Sequence, residues 1–214
     1  DFCLSRGLGD VYKRQLLIPK KPLQVYYMKG LLEMTKHITL AVSGSISAYK
    51  AADLTSQLVK KGHEVTVLMT EAATAFITPL TLQVLSKNPV HLDVMAENDV
   101  KIVNHIELAK QTDLFILAPA SANTLAHLSY GFADNIVTSV ALALPVTTPK
   151  LIAPAMNTKM YQNPITQDNI KRLSQLGFTE IPPKTSLLAC GDTGPGALAD
   201  LDVILEAIET TLKS

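Results

Sequence analysis

From residue 34 onward, short apolar runs alternate with longer stretches in which apolar residues recur every three to four positions. HITLAV (37–42) predicts a buried first strand. SAYKAADLTSQLVKKG (47–62) sets Ala48, Ala52, Leu54, Leu58 and Val59 near the helical period and ends at Gly62, a natural helix stop. EVTVLM (64–69) predicts a second strand, LTLQVLS (80–86) a short helix and DLFILAPA (113–120) a principal strand. Helical material follows over 123–144, with a break at Gly131. Next come a strand over PKLIAPAM (149–156), a helix over 164–177 opened by Pro164 and closed by Gly177, and a short strand over FTEIPP (178–183). Leu201, Ile204, Leu205 and Ile208 give the last segment one apolar face. Alternating β and α segments predict a three-layer α/β domain, a mostly parallel sheet covered on both faces. In such sheets ligands bind beyond the carboxyl ends of the strands.

Composition changes this picture little. The chain has 214 residues, 47% hydrophobic and 18% charged, enough for one well-filled core. Lys plus Arg and Asp plus Glu are both 19, so the charge balance gives no footprint for nucleic acid or an anionic membrane. No apolar run approaches the roughly 18–20 residues that span a bilayer, and a cytoplasmic protein is expected. The two cysteines, Cys3 and Cys190, stand at opposite ends of the chain, so Cys190 reads as a free thiol. Residues 1–33 are basic and aperiodic, whereas the strand pattern starts just after Met34. They read as a non-native or disordered leader, and 34–214 as the folded domain.

The candidate chemistry follows strand ends. In SGSISAYK (43–50), Gly44 allows close backbone approach, and Ser45 and Ser47 put hydroxyls beside the unpaired amides of a helix start. This fits a mononucleotide phosphate, and equally a plain capped turn; it matches neither a dinucleotide fingerprint nor a Walker loop. MTEAATAF holds Thr70, Glu71, Ala72 and Phe76 and reads as a capped helix start. APASANTLAHL offers Ser121, Ala122, Asn123 and Thr124, which give room and hydrogen bonds for a flat polar-edged ring, or again a cap. APAMNTKM puts Ala155, Met156 and Asn157 after a strand, where the Asn157 amide could hold a carboxylate or close a turn. No metal site is expected.

Two further residues stand out. His105, just ahead of an expected helix, is the histidine best placed for chemistry, although a lone histidine is more often structural. Cys190 sits in LLACGDTGPGALAD, where Gly191, Gly194 and Gly196 suggest the hinges of a mobile flap. A free cysteine titrates near ~8.5, and Asp192 and Asp200 argue against a strongly lowered value. Cys190 therefore suits a proton donor better than a thiolate nucleophile, and an ordinary turn cysteine stays open beside it.

In this order, GSISAYK, PASANT, APAMNTKM and ACGDTGPG resemble the motifs of the phosphopantothenoylcysteine decarboxylases, within the homo-oligomeric flavin-containing cysteine decarboxylases. The resemblance extends over essentially everything from Met34. It implies a Rossmann- or flavodoxin-like flavoprotein that binds FMN and converts 4'-phosphopantothenoylcysteine to 4'-phosphopantetheine and CO2 in coenzyme A synthesis. Because the substrate's amine is locked in an amide, its thiol must supply the electron sink. Oxidation to a thioaldehyde lets CO2 leave to give an enethiolate, which is then reduced and protonated. By the same resemblance, Cys190 donates that proton, Asn157 holds the substrate carboxylate beside Met156, and His105 assists oxidation. Gly44, Ser45, Ile46, Thr70, Glu71, Ala72, Phe76, Ser121, Ala122, Asn123, Thr124 and Ala155 fall on flavin-contacting positions, with the FMN phosphate at the start of the first helix. The family assembles as trimers or groups of trimers, with the flavin between subunits.

Two departures stand against the family pattern. Bacterial bifunctional relatives often carry Arg-Met where Ala197 and Leu198 follow Gly196. They also carry a fused ligase, which the 214 residues cannot accommodate, so a separate protein is expected to supply the substrate. Competing readings are a peptidyl-cysteine decarboxylase, a flavin prenyltransferase and a non-enzymatic flavoprotein that regulates a phosphatase.

Overall fold

The computed structural model describes residues 35–96, 103–188 and 191–213; the expected leader and Cys190 lie outside them. β1 (His37–Val42) leads through a 3-10 turn (Ile46–Tyr49) into α1 (Lys50–Lys60), and β2 (Glu64–Met69) into α2 (Glu71–Thr74) and α3 (Pro79–Ser86). β3 (Val90–His91) precedes α4 (Asn104–Gln111), and β4 (Leu114–Ala120) runs into α5 (Ala122–Tyr130) and α6 (Ile136–Ala143). β5 (Lys150–Pro154) is followed by α7 (Thr158–Tyr161) and α8 (Pro164–Gln175), then β6 (Phe178–Glu180). A hairpin of β7 (Lys184–Leu187) and β8 (Thr193–Ala197) precedes α9 (Leu201–Thr211).

β1 to β6 form one parallel sheet in the order β3-β2-β1-β4-β5-β6. The period-2 alternation of its strands sorts their side chains into two cores. Ile38, Leu40 and Val42 of β1 and Leu114, Ile116 and Ala118 of β4 face α1, α3 and α9. Ala41, Phe115, Leu117 and Ala120 face α4, α5, α6 and α8. Thr39, though buried, satisfies its hydroxyl on Thr112 at 2.7 Å, so its burial leaves no orphaned group. Gly131, at φ 74, ends α5 in the left-handed conformation, and Asn135 and Thr138 cap α6 reciprocally, which accounts for the helical break.

The winding changes direction between β1 and β4. From β1 the chain builds outward to β2 and β3, then returns to lay β4 on the other side and continues to β6. The loops after β1 and β4 therefore leave the sheet toward opposite faces and open a crevice at the strand ends.

The glycine-rich segment expected as a flap carries a hairpin. Residues 184–187 and 193–197 pair antiparallel, and two of its glycines sit against the loop after β5. A Cβ on Gly194 would lie 2.6 Å from the Thr158 methyl, and one on Gly196 only 2.4 Å from the Met156 carbonyl oxygen. The Met156 N–H also donates to the Gly196 carbonyl at 2.9 Å, docking β8 on the loop between β5 and α7. Gly191, Gly194 and Gly196 also hold φ of 87, 158 and 152, which residues with side chains rarely adopt, and the Gly191 N–H donates to the Leu188 carbonyl.

α9 is fastened to the end of α1 by Glu209, whose carboxylate lies 3.3 Å from both Lys61 Nζ and the buried His63 Nε2. Partial burial raises its pKa, but the His63 and Lys61 hydrogen bonds and charges outweigh that and hold it below the usual carboxylate value. A lowered carboxylate stabilises the fold above its unfolded pKa, and the contribution fades as pH falls through the folded value. Glu209→Gln is thus expected to cost about 1 kcal/mol near neutral pH. Thermal unfolding of both proteins from pH 7 to pH 3 should show the gap closing at the acid end; a constant gap would rule out the charge as its cause.

Candidate active site

Hydrogen bonds lace the strand ends into a rigid floor. Ser43, fully buried at the end of β1, donates through Oγ to the Pro119 carbonyl and accepts from the Ser121 N–H, both at 2.8 Å. Its own N–H reaches the same Pro119 oxygen at 3.2 Å. On either side, the Thr70 N–H donates to the Val42 carbonyl and the Ala155 N–H to the Ala120 carbonyl, both at 3.0 Å. The Ser45 hydroxyl closes the set by donating to the Ala155 carbonyl at 3.1 Å. The ends of β2, β1, β4 and β5 are so held in one row.

Each loop leaving that row starts a helix, and each cap residue faces the crevice. Ser45 caps the 3-10 turn, accepting from the Ser47 N–H; Thr70 caps α2, Ser121 caps α5 and Asn157 caps α7. These four line a cavity of about 1010 Å³. Gly44, Ile46, Glu71, Ala72, Ala122, Asn123, Thr124, Ala155 and Met156 line it too. Gly44 is needed for packing of the wall itself, since a Cβ there would stand 2.6 Å from that of Ala72. Helix N-termini present N–H groups and positive dipole ends, so the cavity favours an anionic ligand. Lys50 and Lys184 lie on its lining, and Lys184 pairs with Asp200, holding that carboxyl below its ordinary value.

Asn157 is fixed at both ends of its amide. Oδ1 accepts from the Lys159 N–H at 2.8 Å, which turns the NH2 end the other way, and Nδ2 donates to Asp192 Oδ2 at 2.8 Å. Of the two roles open from sequence, Asn157 caps the turn through Oδ1, and its NH2 end meets a carboxylate of the chain itself.

Phe76 and His105 are not among the cavity's lining residues. Phe76 follows α2 and is 45% exposed. His105 lies within the first turn of α4 rather than ahead of it, and its buried Nδ1 has no hydrogen-bond partner among the described residues. Conversely, the lining includes His127 and Asp134, which sequence reasoning passed over. Burial raises the Asp134 pKa, but the hydrogen bond and charge of His127, 3.2 Å away, together with its other hydrogen bonds, bring it below normal. The Asp192 contact was also missed; its only signal was an aspartate beside the cysteine in the same short motif.

Comparison with known proteins adds independent findings. A profile of the family described as Flavoprotein matches residues 30–213. Over 179 residues the chain is 70% identical to a probable phosphopantothenoylcysteine decarboxylase of Streptococcus mutans, covering 84% of this chain and 100% of that protein. It is 43% identical over 174 residues to a coenzyme A biosynthesis bifunctional protein of Bacillus subtilis, covering 81% of this chain but 42% of that protein. Among solved structures, a cysteine-to-serine mutant of a PPC decarboxylase complexed with pantothenoylaminoethenethiol matches with TM-score 0.75 and 34% identity, covering 84% of this chain and 100% of that one. An FMN binding protein matches with TM-score 0.70 and 35% identity over 82% of this chain and 96% of that one.

The Ser43 bridge and the Gly196 seat each yield a prediction. Ser43→Ala removes a buried donor and leaves the Ser121 N–H without its acceptor, an expected loss of about 1–3 kcal/mol in denaturant unfolding. Gly196→Ala pushes β8 off a backbone oxygen that has no room to yield and should cost about 1–3 kcal/mol. If β8 were a freely hinged flap, the second substitution would leave the unfolding midpoint unchanged.

Proposed function

The chain belongs to the flavoprotein family, and on that premise we propose that it binds FMN and decarboxylates 4'-phosphopantothenoylcysteine to 4'-phosphopantetheine, a step of coenzyme A synthesis. One observation carries this reading: Asn157, on the cavity wall, has its amide oxygen turned away and its NH2 end already engaged by a carboxylate. An amide NH2 is a donor by which a site can hold an acid's carboxylate.

The residues present fit a flavin mononucleotide. The cavity has the volume of a cofactor site, small side chains at Gly44, Ala72, Ala122 and Ala155 leave room for a flat ring, and capped helix starts suit its phosphate. Ser45 already donates to Ala155 and accepts from the Ser47 N–H, so the remaining N–H groups of the turn and the Ser47 hydroxyl would hold the phosphate, with Ser45 shaping the turn. When bound, FMN supplies a two-electron acceptor for the substrate's thiol-bearing carbon. Asn157 would hold the carboxylate, with Met156 beside it on the lining. Lys50 gives the cavity positive charge for the phosphate of the substrate, while Lys184 on the same lining is paired with Asp200. Cys190 returns the final proton to the enethiolate, a role supported by the pantothenoylaminoethenethiol complexed with the cysteine-to-serine relative.

His105 and Phe76 complete the site from a neighbouring copy. Support comes from their absence from the cavity of one chain and from the exposure of Ile46 (62%), Leu80 (66%) and Val84 (67%), apolar side chains on the loop after β1 and on α3. The assembly proposed is a homotrimer or a multiple of it. No described helix is long and apolar enough to cross a membrane, in keeping with a cytoplasmic biosynthetic role. The folded domain proposed is residues 34–214.

The deciding experiment incubates the flavin-loaded protein anaerobically with 4'-phosphopantothenoylcysteine and follows CO2 and product mass. Folded, yellow protein without turnover, or turnover only of a peptide ending in cysteine, would overturn the reading. Cys190→Ser should release CO2 and stall at a product two hydrogens short of 4'-phosphopantetheine; full activity would remove Cys190 from its role. Sedimentation should give a trimer or a multiple of it with flavin bound, and a flavin-loaded monomer would exclude a shared site.

A further inference from the structure

The Asn157 amide is already occupied by the chain's own carboxylate, Asp192, at 2.8 Å. From this geometry we infer that Asp192 is an internal competitor for the carboxylate subsite, which a substrate carboxylate must displace, and so a determinant of the site's affinity for acids. The inference rests on the reading of Asn157 given above.

Three observations lead there. The Lys159 N–H fixes which way the amide faces, so the donor end that Asp192 uses is the donor end offered to a ligand. Asp192 and Asn157 are both only partly buried, and Asn157 lines the cavity, so an incoming anion can reach the contact. Charge decides the outcome: two carboxylates on one amide nitrogen stand within a few ångströms of each other and repel strongly outside bulk water. Entry of a substrate carboxylate therefore turns the Asp192 side chain away. Loss of CO2 removes the competitor and lets Asp192 return. The arrangement weakens binding of the acid and leaves that of its decarboxylated product unchanged.

The test uses two probes that cannot be oxidised at sulfur: 4'-phosphopantothenoylalanine, which keeps the carboxylate, and 4'-phosphopantothenoylethylamine, which lacks it. Their dissociation constants are measured with flavin-loaded wild type, Asp192→Ala, Asp192→Asn and Asn157→Ala. If Asp192 occupies the amide about nine-tenths of the time, Asp192→Ala should bind the alanine compound about tenfold more tightly and the ethylamine compound unchanged. Asp192→Asn, which keeps an acceptor but loses the charge, should fall between and decides the matter if the alanine variant does not fold. Unchanged or weaker binding of the alanine compound would overturn the proposal, making Asp192 a support for the amide. Equal tightening of both compounds would overturn it too. Asn157→Ala separates the two levels. If it abolishes the preference for the carboxylate while the Asp192 variants gain nothing, only the competition fails; if it leaves the preference intact, the reading of Asn157 fails as well.

Discussion

The site depends on one buried hydroxyl. Ser43 ends β1 where the winding of the sheet reverses, and there the backbones of β1 and β4 would otherwise diverge with unpaired groups. By donating to Pro119 and accepting from Ser121, its side chain fastens the two ends together and satisfies polar groups with no access to water. The loops that carry Ser45 and Ser121 then leave from fixed points, and Ala155 joins through the Ser45 hydroxyl. A crevice between diverging loops is generic to doubly wound sheets. Here the Ser43 tie fixes where two of its walls begin.

Much of the fold was legible in the sequence because its strands are buried on both faces. β1, β2 and β4 stand out as near-continuous apolar runs bounded by polar residues, and their helices by 3.6-residue spacing. Most residues of the candidate site were legible for a related reason: they follow strand ends, and small or hydroxyl residues there mark helix starts. Legibility failed where a residue's neighbours are remote in sequence. Gly194 and Gly196 look like hinges because glycine most often relieves backbone strain, but here they make room for Thr158 and Met156, nearly forty residues away. Asp192 was read as an influence on its neighbour Cys190, yet its side chain reaches Asn157. His105 shows the reverse limit, a residue singled out from sequence that a single chain does not bring to the cavity.

The comparisons and the geometry constrain different things. Full-length identity of 70% to a probable phosphopantothenoylcysteine decarboxylase fixes the family and supports the chemistry. It does not explain why an amide should stand where Asn157 does. The structure supplies that part, since the Lys159 N–H and the Asp192 carboxylate fix the amide's direction.

Ser45, Thr70, Ser121 and Asn157 each cap the start of a helical segment and also form the cavity wall. A cap contributes about 1 kcal/mol, a sizeable share of the margin by which a domain of this size is folded. Sequence drift at these positions is consequently constrained twice, and a new ligand preference cannot be explored there without risking local unfolding. Residues that touch the same space but cap nothing, such as Met160, Lys184 and Ser186, carry no such burden. Divergence in specificity among descendants of this scaffold should accumulate on that outer wall, leaving the inner one nearly unchanged.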